Sequence, residues 1–261
     1  MVERIQEFVR NKKIVFVGNS VEIMKHKLAK KIDSYDIVVR FGRAMSATSE
    51  QEKSIGKRCD IWVTGQFRAP IYNELREEFE NGRWKDTEIL VNRCRGNLQL
   101  KNWVFEEHLP KGMQYTQMYS DKEIIDIMKA FDKDILGCKD LRPSAGFITI
   151  LWFVNKIKTY KSLDLIGFDF FAKTVKERRG DKEGNFSQCD PHSWHLPVYM
   201  RESSAHDMVL EQQYVSFLER NGLLNWHVLS DLTQSSVEYT DWMKGEKRIK
   251  SAPKKSKVSK I

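Results

Sequence analysis

Much that would classify a chain at a glance is missing from these 261 residues. No stretch approaches the roughly 18 consecutive apolar residues that a membrane-spanning helix needs. The opening Met-Val-Glu-Arg-Ile-Gln-Glu has no apolar region of the signal-peptide kind. Cysteine is scarce and scattered: Cys59, Cys94, Cys138 and Cys189 form no C-x-x-C pair. That spacing argues against a disulfide framework or a zinc site and favours small buried thiols. Together these absences point to a cytoplasmic protein. Neither a G-x-G-x-x-G fingerprint nor a Walker lysine is present, and no RRM, KH or helix-turn-helix signature marks a nucleic-acid reader.

Charge is present but unevenly spread. The formal net charge is +8, and residues 244–261 carry eight Lys/Arg against Glu246, a net of +7. Residues 1–243 are therefore close to neutral, and the basicity belongs to the tail. A run of this kind is read first as a solvated, disordered segment. Its functional reading is peripheral contact with an anionic membrane face, worth about 1 kcal/mol per basic residue near the surface.

What the chain does have is organised around Lys13 to Ser20, Lys-Ile-Val-Phe-Val-Gly-Asn-Ser. Ile14 to Val17 reads as a strand buried on both faces, as in the middle of a parallel sheet. Gly18, Asn19 and Ser20 break it, and Val21 to Lys31 resumes at helical spacing. A strand that opens a helix through a small-residue turn aims free N–H groups beyond the sheet's carboxyl edge, which suits a phosphate. An ordinary βα turn has the same pattern.

Around this unit, strand and helix alternate. Residues 1–12 form a short amphipathic helix with Ile5, Phe8 and Val9 inward. Strands follow at Asp36–Phe41, Cys59–Thr64, Thr87–Asn92 and Met113–Met118, with a polar loop at 44–56 and a helix at Ile71–Phe79. A helix opens at Asp121. Another starts at Pro143-Ser144-Ala145-Gly146 and is apolar nearly all round, hence buried. Leu163–Phe168 is a strand, residues 170–202 are loop-like, and Ser204 caps a helix over 205–220 that ends at Asn221-Gly222. A strand at Trp226–Leu229 and a helix at Ser236–Met243 complete the body. The expected fold is α/β, a mostly parallel sheet with helices on both faces.

Three donor-rich stretches can meet at the carboxyl edge of such a sheet: Gly18 to Ser20, Pro143 to Gly146, and His192 to Glu211. Ser144 and Gly146 lie in a first helical turn, whose N–H groups lack intrahelical partners. His206, in the first turn after Ser204, feels a helix dipole that disfavours the imidazolium, so its ring suits general-base chemistry. His192 could stabilise charge on a departing phosphate. Glu211 reads either as a surface carboxylate or as an orienting partner.

The set resembles the sialyltransferases of glycosyltransferase family 29. Ile14 to Arg40 is similar to their long motif. Arg142-Pro-Ser-Ala-Gly146 through Leu165-Ile-Gly-Phe168 is similar to their short motif. His192-Ser-Trp and the His206/Glu211 pair resemble two further elements of that family. The resemblance implies a single Rossmann-like, GT-A-like transferase domain over 1–243, followed by the basic tail. It implies a CMP-activated sialic acid or related ulosonic acid as donor, a glycan or glycolipid hydroxyl as acceptor, and no metal or cofactor. By it, Gly18, Asn19, Ser20, Arg40, Ser144, Ala145 and Gly146 would bind the nucleotide, His206 would deprotonate the acceptor and His192 would assist CMP departure, with Glu211 beside them.

The departures narrow and widen this reading. Ile14 and Tyr160 stand where secretory members carry a bridged cysteine pair, which fits a reducing compartment. Gly42 replaces an asparagine common in the family, and Val21-Glu22-Ile23 replaces glycines. CMP-Kdo therefore competes with CMP-sialic acid as donor, and inversion or retention stays open. Two alternatives from other classes are a nucleic-acid-binding module working through the tail and a non-catalytic nucleotide-binding domain. The neutral body counts against the first, and the presence of His192, His206 and Glu211 against the second.

Overall fold

The computed structural model describes residues 2–20, 23, 26–42, 49–64, 85–91, 115–119, 123, 144–168 and 208–229. Seven strands form one sheet: β1 (Lys13–Val17), β2 (Ile37–Phe41), β3 (Ile61–Thr64), β4 (Glu88–Val91), β5 (Tyr115–Gln117), β6 (Ser162–Ile166) and β7 (Asn225–His227). Their spatial order is β5-β4-β3-β2-β1-β6-β7, and every pairing is parallel. The chain therefore builds outward from β1 to one edge and then returns to the other side of β1 for β6 and β7. That reversal puts a switch point at the carboxyl ends of β1 and β6, where open α/β sheets hold ligands. The architecture is the expected one.

Alternate residues of the central strands feed two apolar layers, because side chains along a strand point to opposite faces. Ile14, Phe16, Ile37, Val39, Ile61, Val63, Leu163 and Leu165 face one core. The helices α1 (Val2–Phe8), α4 (Ala145–Trp152) and α5 (Met208–Arg220) cover it with Ile5, Phe147, Ile148, Val215 and Leu218. Val15, Val17, Val38 and Ile166 face the second core, with Ile32 of α2 (Ala29–Asp33) and Ile55 of α3 (Ser49–Ile55). Each fully buried Phe, Ile or Leu contributes roughly 1.5–3 kcal/mol of transfer free energy. This is why strands with no polar alternation stay in the middle of the sheet. Ile14 lies in the first core and Tyr160 packs, partly buried, against it. Burial pushes the Tyr160 phenol up to about 12.

Two expectations are corrected. The polar loop expected over 44–56 contains the helix α3. Ile55 is its one apolar residue and Gln51 is buried beside it, so the stretch shows no helical periodicity. Its C-terminus is instead held from the sheet. The Arg40 guanidinium donates to the carbonyls of Ile55 (2.7 Å), Gly56 (2.9 Å) and Arg58 (2.6 Å). The helix expected over 21–31 is also shorter. Residues 21, 22, 24 and 25 lie outside the described residues; Ile23 N–H donates to Ser20 C=O, His26 N–H to Ile23 C=O, and the helix described here, α2, spans Ala29–Asp33. The helices expected at 71–79 and 236–243, most of that opening at Asp121, the 170–202 loop and the tail at 244–261 lie outside the described residues.

The amino edge of the sheet is tied by a polar network. Arg58 donates to the carbonyls of Asp33, Tyr35 and Asp36 and pairs with the Asp60 carboxylate at 2.9 Å. Asp60 in turn accepts from the Val38 N–H at 2.7 Å. Cys59 is a free thiol buried in the same region, and burial pushes it up to about 12, so it is inert as a nucleophile. Removing Arg40 would orphan three carbonyls where water cannot replace it. Arg40→Met is expected to lower the free energy of unfolding by about 3 kcal/mol, read by equilibrium urea denaturation.

Candidate functional site at the β1/β6 switch point

The turn after β1 is stitched to its neighbours on both sides. Gly18 N–H donates to the Ile166 carbonyl at 2.7 Å and Ser20 N–H to the Gly167 carbonyl at 3.0 Å. Asn19 Nδ2 donates to the Phe41 carbonyl at the end of β2, at 3.3 Å. The expectation that this turn offers its N–H groups to a ligand is therefore corrected for two of its three residues. A parallel pairing that runs one residue past the strand ends has used those donors. The fit is tight: a Cβ at Gly18 would lie 2.3 Å from the Gly167 carbonyl oxygen. Only glycine allows β1 and β6 to approach this closely at their carboxyl ends.

Ser144 begins α4 as its N-cap, with extended backbone (φ −68°, ψ 157°) and Oγ accepting from Phe147 N–H at 3.2 Å. The Ser144 hydroxyl donates to Glu211 Oε2 and its N–H to Glu211 Oε1, each at 2.6 Å. Glu211, in the first turn of α5, is 0% exposed. It is not the surface carboxylate that its sequence position allows. Both oxygens grip one serine sixty-seven positions away. Bonds to an ionised acceptor are short and about twice as strong as neutral ones. The clamp holds the N-terminus of α4 in place, where the N–H groups of Ala145 and Gly146 have no intrahelical acceptor.

Phe168 links the two halves. Its ring lies edge-on to Phe41, with centroids 5.6 Å apart. A Cβ on Gly146 would sit 3.0 Å from its Cε1, and one on Gly18 2.7 Å from its Cδ2. Its carbonyl accepts from Trp226 Nε1 at 2.9 Å, and Trp226 N–H donates to Glu219 Oε1, also at 2.9 Å. Phe168, Trp226 and Glu219 are positioning groups that sequence reading missed. Phe168 stood inside a quoted motif, but nothing in one sequence shows which way its ring faces.

Of the residues expected at the site, Gly18, Asn19, Ser20, Ser144, Ala145, Gly146 and Glu211 come together around β1, β6 and α4. Arg40 does not join them. Its guanidinium runs back to the amino edge, 1% exposed, and burial holds its pKa below the usual arginine value. Its Nε and Nη2 are taken up by the carbonyls of Ile55, Gly56 and Arg58, which gives it a structural role at that edge. His192 and His206 lie outside the described residues. No group of His, Cys, Asp and Glu among the described residues could hold a metal ion, and no described helix is long and apolar enough to cross a membrane.

Residues 6–223 match the model of glycosyltransferase family 29 (sialyltransferase). No curated protein is matched by sequence. Among solved structures, a variant of the sialyltransferase CST-II in complex with CMP is 16% identical with a TM-score of 0.52, over 84% of this chain and 81% of that one. CstII from Campylobacter jejuni with the substrate analogue CMP-3FNeuAc is 14% identical, TM-score 0.47, over 84% and 81%. A mammalian sialyltransferase with Gal-beta-1-3GalNAc-ortho-nitrophenol is 15% identical, TM-score 0.47, over 85% and 71%. At such identities the likeness to CST-II is one of fold.

The Ser144 clamp is open to direct test. In Glu211→Gln one carboxylate oxygen becomes an NH2 donor facing a donor. The variant is expected to lose about 1.5–3 kcal/mol of stability, with amide exchange rising selectively at Phe147 and Ile148.

Proposed function

The chain belongs to glycosyltransferase family 29, and from that premise we propose that it transfers a sialic acid from a CMP donor to a hydroxyl of a glycan or glycolipid. One observation carries the reading: the family's motif segments, far apart in the chain, converge at one sheet edge through the Glu211–Ser144 clamp and the Gly18–Phe168–Gly146 contact. The N–H groups of Ala145 and Gly146 open a helix of eight residues and suit the donor phosphate, by dipole and by unmet donors. Asn19 and Ser20, in the turn after β1 at the same sheet edge, would contact the ribose and phosphate.

In this reading the acceptor oxygen attacks the anomeric carbon of the sugar as the bond from that carbon to the CMP phosphate oxygen breaks. His206, five residues before Glu211, takes the acceptor's proton. His192 donates a hydrogen bond to the phosphate as negative charge accumulates on it, the moment at which such a bond helps the rate. The chemistry calls on no metal. Glu211 fixes the α4 N-terminus against which the nucleotide would rest.

Thermal unfolding with CMP, UMP and duplex DNA tests the binding half. CMP alone is expected to stabilise, by about 2.7 kcal/mol at a hundredfold excess over its Kd. Stabilisation by DNA without CMP would favour a nucleic-acid module instead. Product mass spectrometry with CMP-sialic acid and CMP-Kdo then identifies the donor, with CMP-sialic acid expected. His206→Ala is expected to abolish transfer and keep the CMP stabilisation. A variant that no longer binds CMP would make His206 a structural residue.

A further inference from the structure

We infer that Phe168 is a positioning residue that sets the spacing between the β1 turn and the α4 N-terminus, and so the width of the crevice for the donor's nucleotide. The inference rests on the proposed CMP-donor reading and deepens it. Glycine stands on both sides of the ring. On the β1 side a Cβ at Gly18 would meet Phe168 Cδ2 at 2.7 Å, and on the α4 side a Cβ at Gly146 would meet Cε1 at 3.0 Å. Both sides are therefore in contact with one flat spacer, and neither can move toward the other without compressing it. Phe41 blocks lateral escape of the ring by edge-on packing at 5.6 Å.

The backbone of Phe168 is held just as firmly. Gly167 precedes it at φ +75°, a left-handed turn whose carbonyl accepts from Ser20 N–H. The Phe168 carbonyl itself accepts from the Trp226 indole, and Trp226 is anchored by Glu219. Glu219 and Glu211 lie on α5 together, so one helix fixes both the spacer and the α4 cap that the spacer touches. A ring confined on this many sides behaves as a gauge block and not as adaptable filling.

The two glycines differ in a way that makes the inference testable. At Gly18 the nearest obstacle is backbone, the Gly167 carbonyl oxygen at 2.3 Å, whereas at Gly146 it is only the Phe168 ring. Trimming the ring should therefore rescue an alanine at one position and not at the other.

The experiment is a double-mutant cycle on the full chain, measuring steady-state transfer from the CMP donor, CMP-induced thermal shift and unfolding midpoint. Gly146→Ala is expected to lower kcat/KM for the donor by about a hundredfold, the scale of a misplacement near 1 Å. Adding Phe168→Leu should restore at least tenfold of that loss, while Gly18→Ala should gain nothing from it. Phe168→Leu alone should raise the donor KM with the acceptor KM unchanged, a split that general loss of stability would not produce. This single variant also decides the matter if Gly146→Ala does not fold. Additive losses in the Gly146→Ala/Phe168→Leu pair, or an unchanged donor KM in Phe168→Leu, would overturn the inference while wild-type CMP binding leaves the functional reading standing. A wild-type protein that binds no CMP would overturn both.

Discussion

At the carboxyl ends of β1 and β6 two backbones run so close that no side chain fits between them, and the site described above depends on that approach. With Gly18 and Gly167 facing each other, the N–H groups of Gly18 and Ser20 both reach carbonyls at the end of β6. The turn after β1 is thereby fixed in height over the sheet. Phe168 follows directly and is delivered against Gly146 and Phe41. A larger residue at Gly18 would separate the strands, shift Phe168 and change where α4 begins. Close backbone approach is a hard constraint, because repulsion rises far more steeply with overlap than attraction rewards contact.

The second organising element is α5, whose inward face does two separate tasks. Val215 and Leu218 bury it on the sheet, as any amphipathic helix would be. Glu211 and Glu219, two turns apart, each carry a carboxylate to a backbone N–H of another element: Ser144 at the start of α4 and Trp226 in β7. Burying a carboxylate is costly unless every oxygen finds a donor. Glu211 meets that condition with two bonds of 2.6 Å to a single residue, so the helix can be seated in one place only.

The two edges of the sheet divide the work. The amino edge holds Arg40, Arg58, Asp33 and Asp60 in a network that closes loops and caps α3. The carboxyl edge holds the small residues and the helix N-terminus that suit a phosphate. Arg40 is the buried cation of that amino edge. A buried guanidinium needs acceptors close at hand, and three carbonyls of the α3 connection supply them.

The middle of the sheet was legible in the sequence because its strands are short apolar runs with little alternation, a pattern that burial on both faces requires, whereas the edge strand β5 was read from alternation. The start of α4 and the end of α5 at Gly222 were legible too, since helix ends depend on residues adjacent in the chain. α3 was not, because its polar surface carries no periodicity and its end is held by an arginine from β2. The partner of Glu211, the direction of Arg40 and the spacing role of Phe168 were also beyond reach. Each is a contact between residues at least fifteen positions apart, and a side chain's reach is decided by what the folded chain places within a few ångströms of it. Local chemistry determined the elements, and packing alone decided which of their polar groups meet.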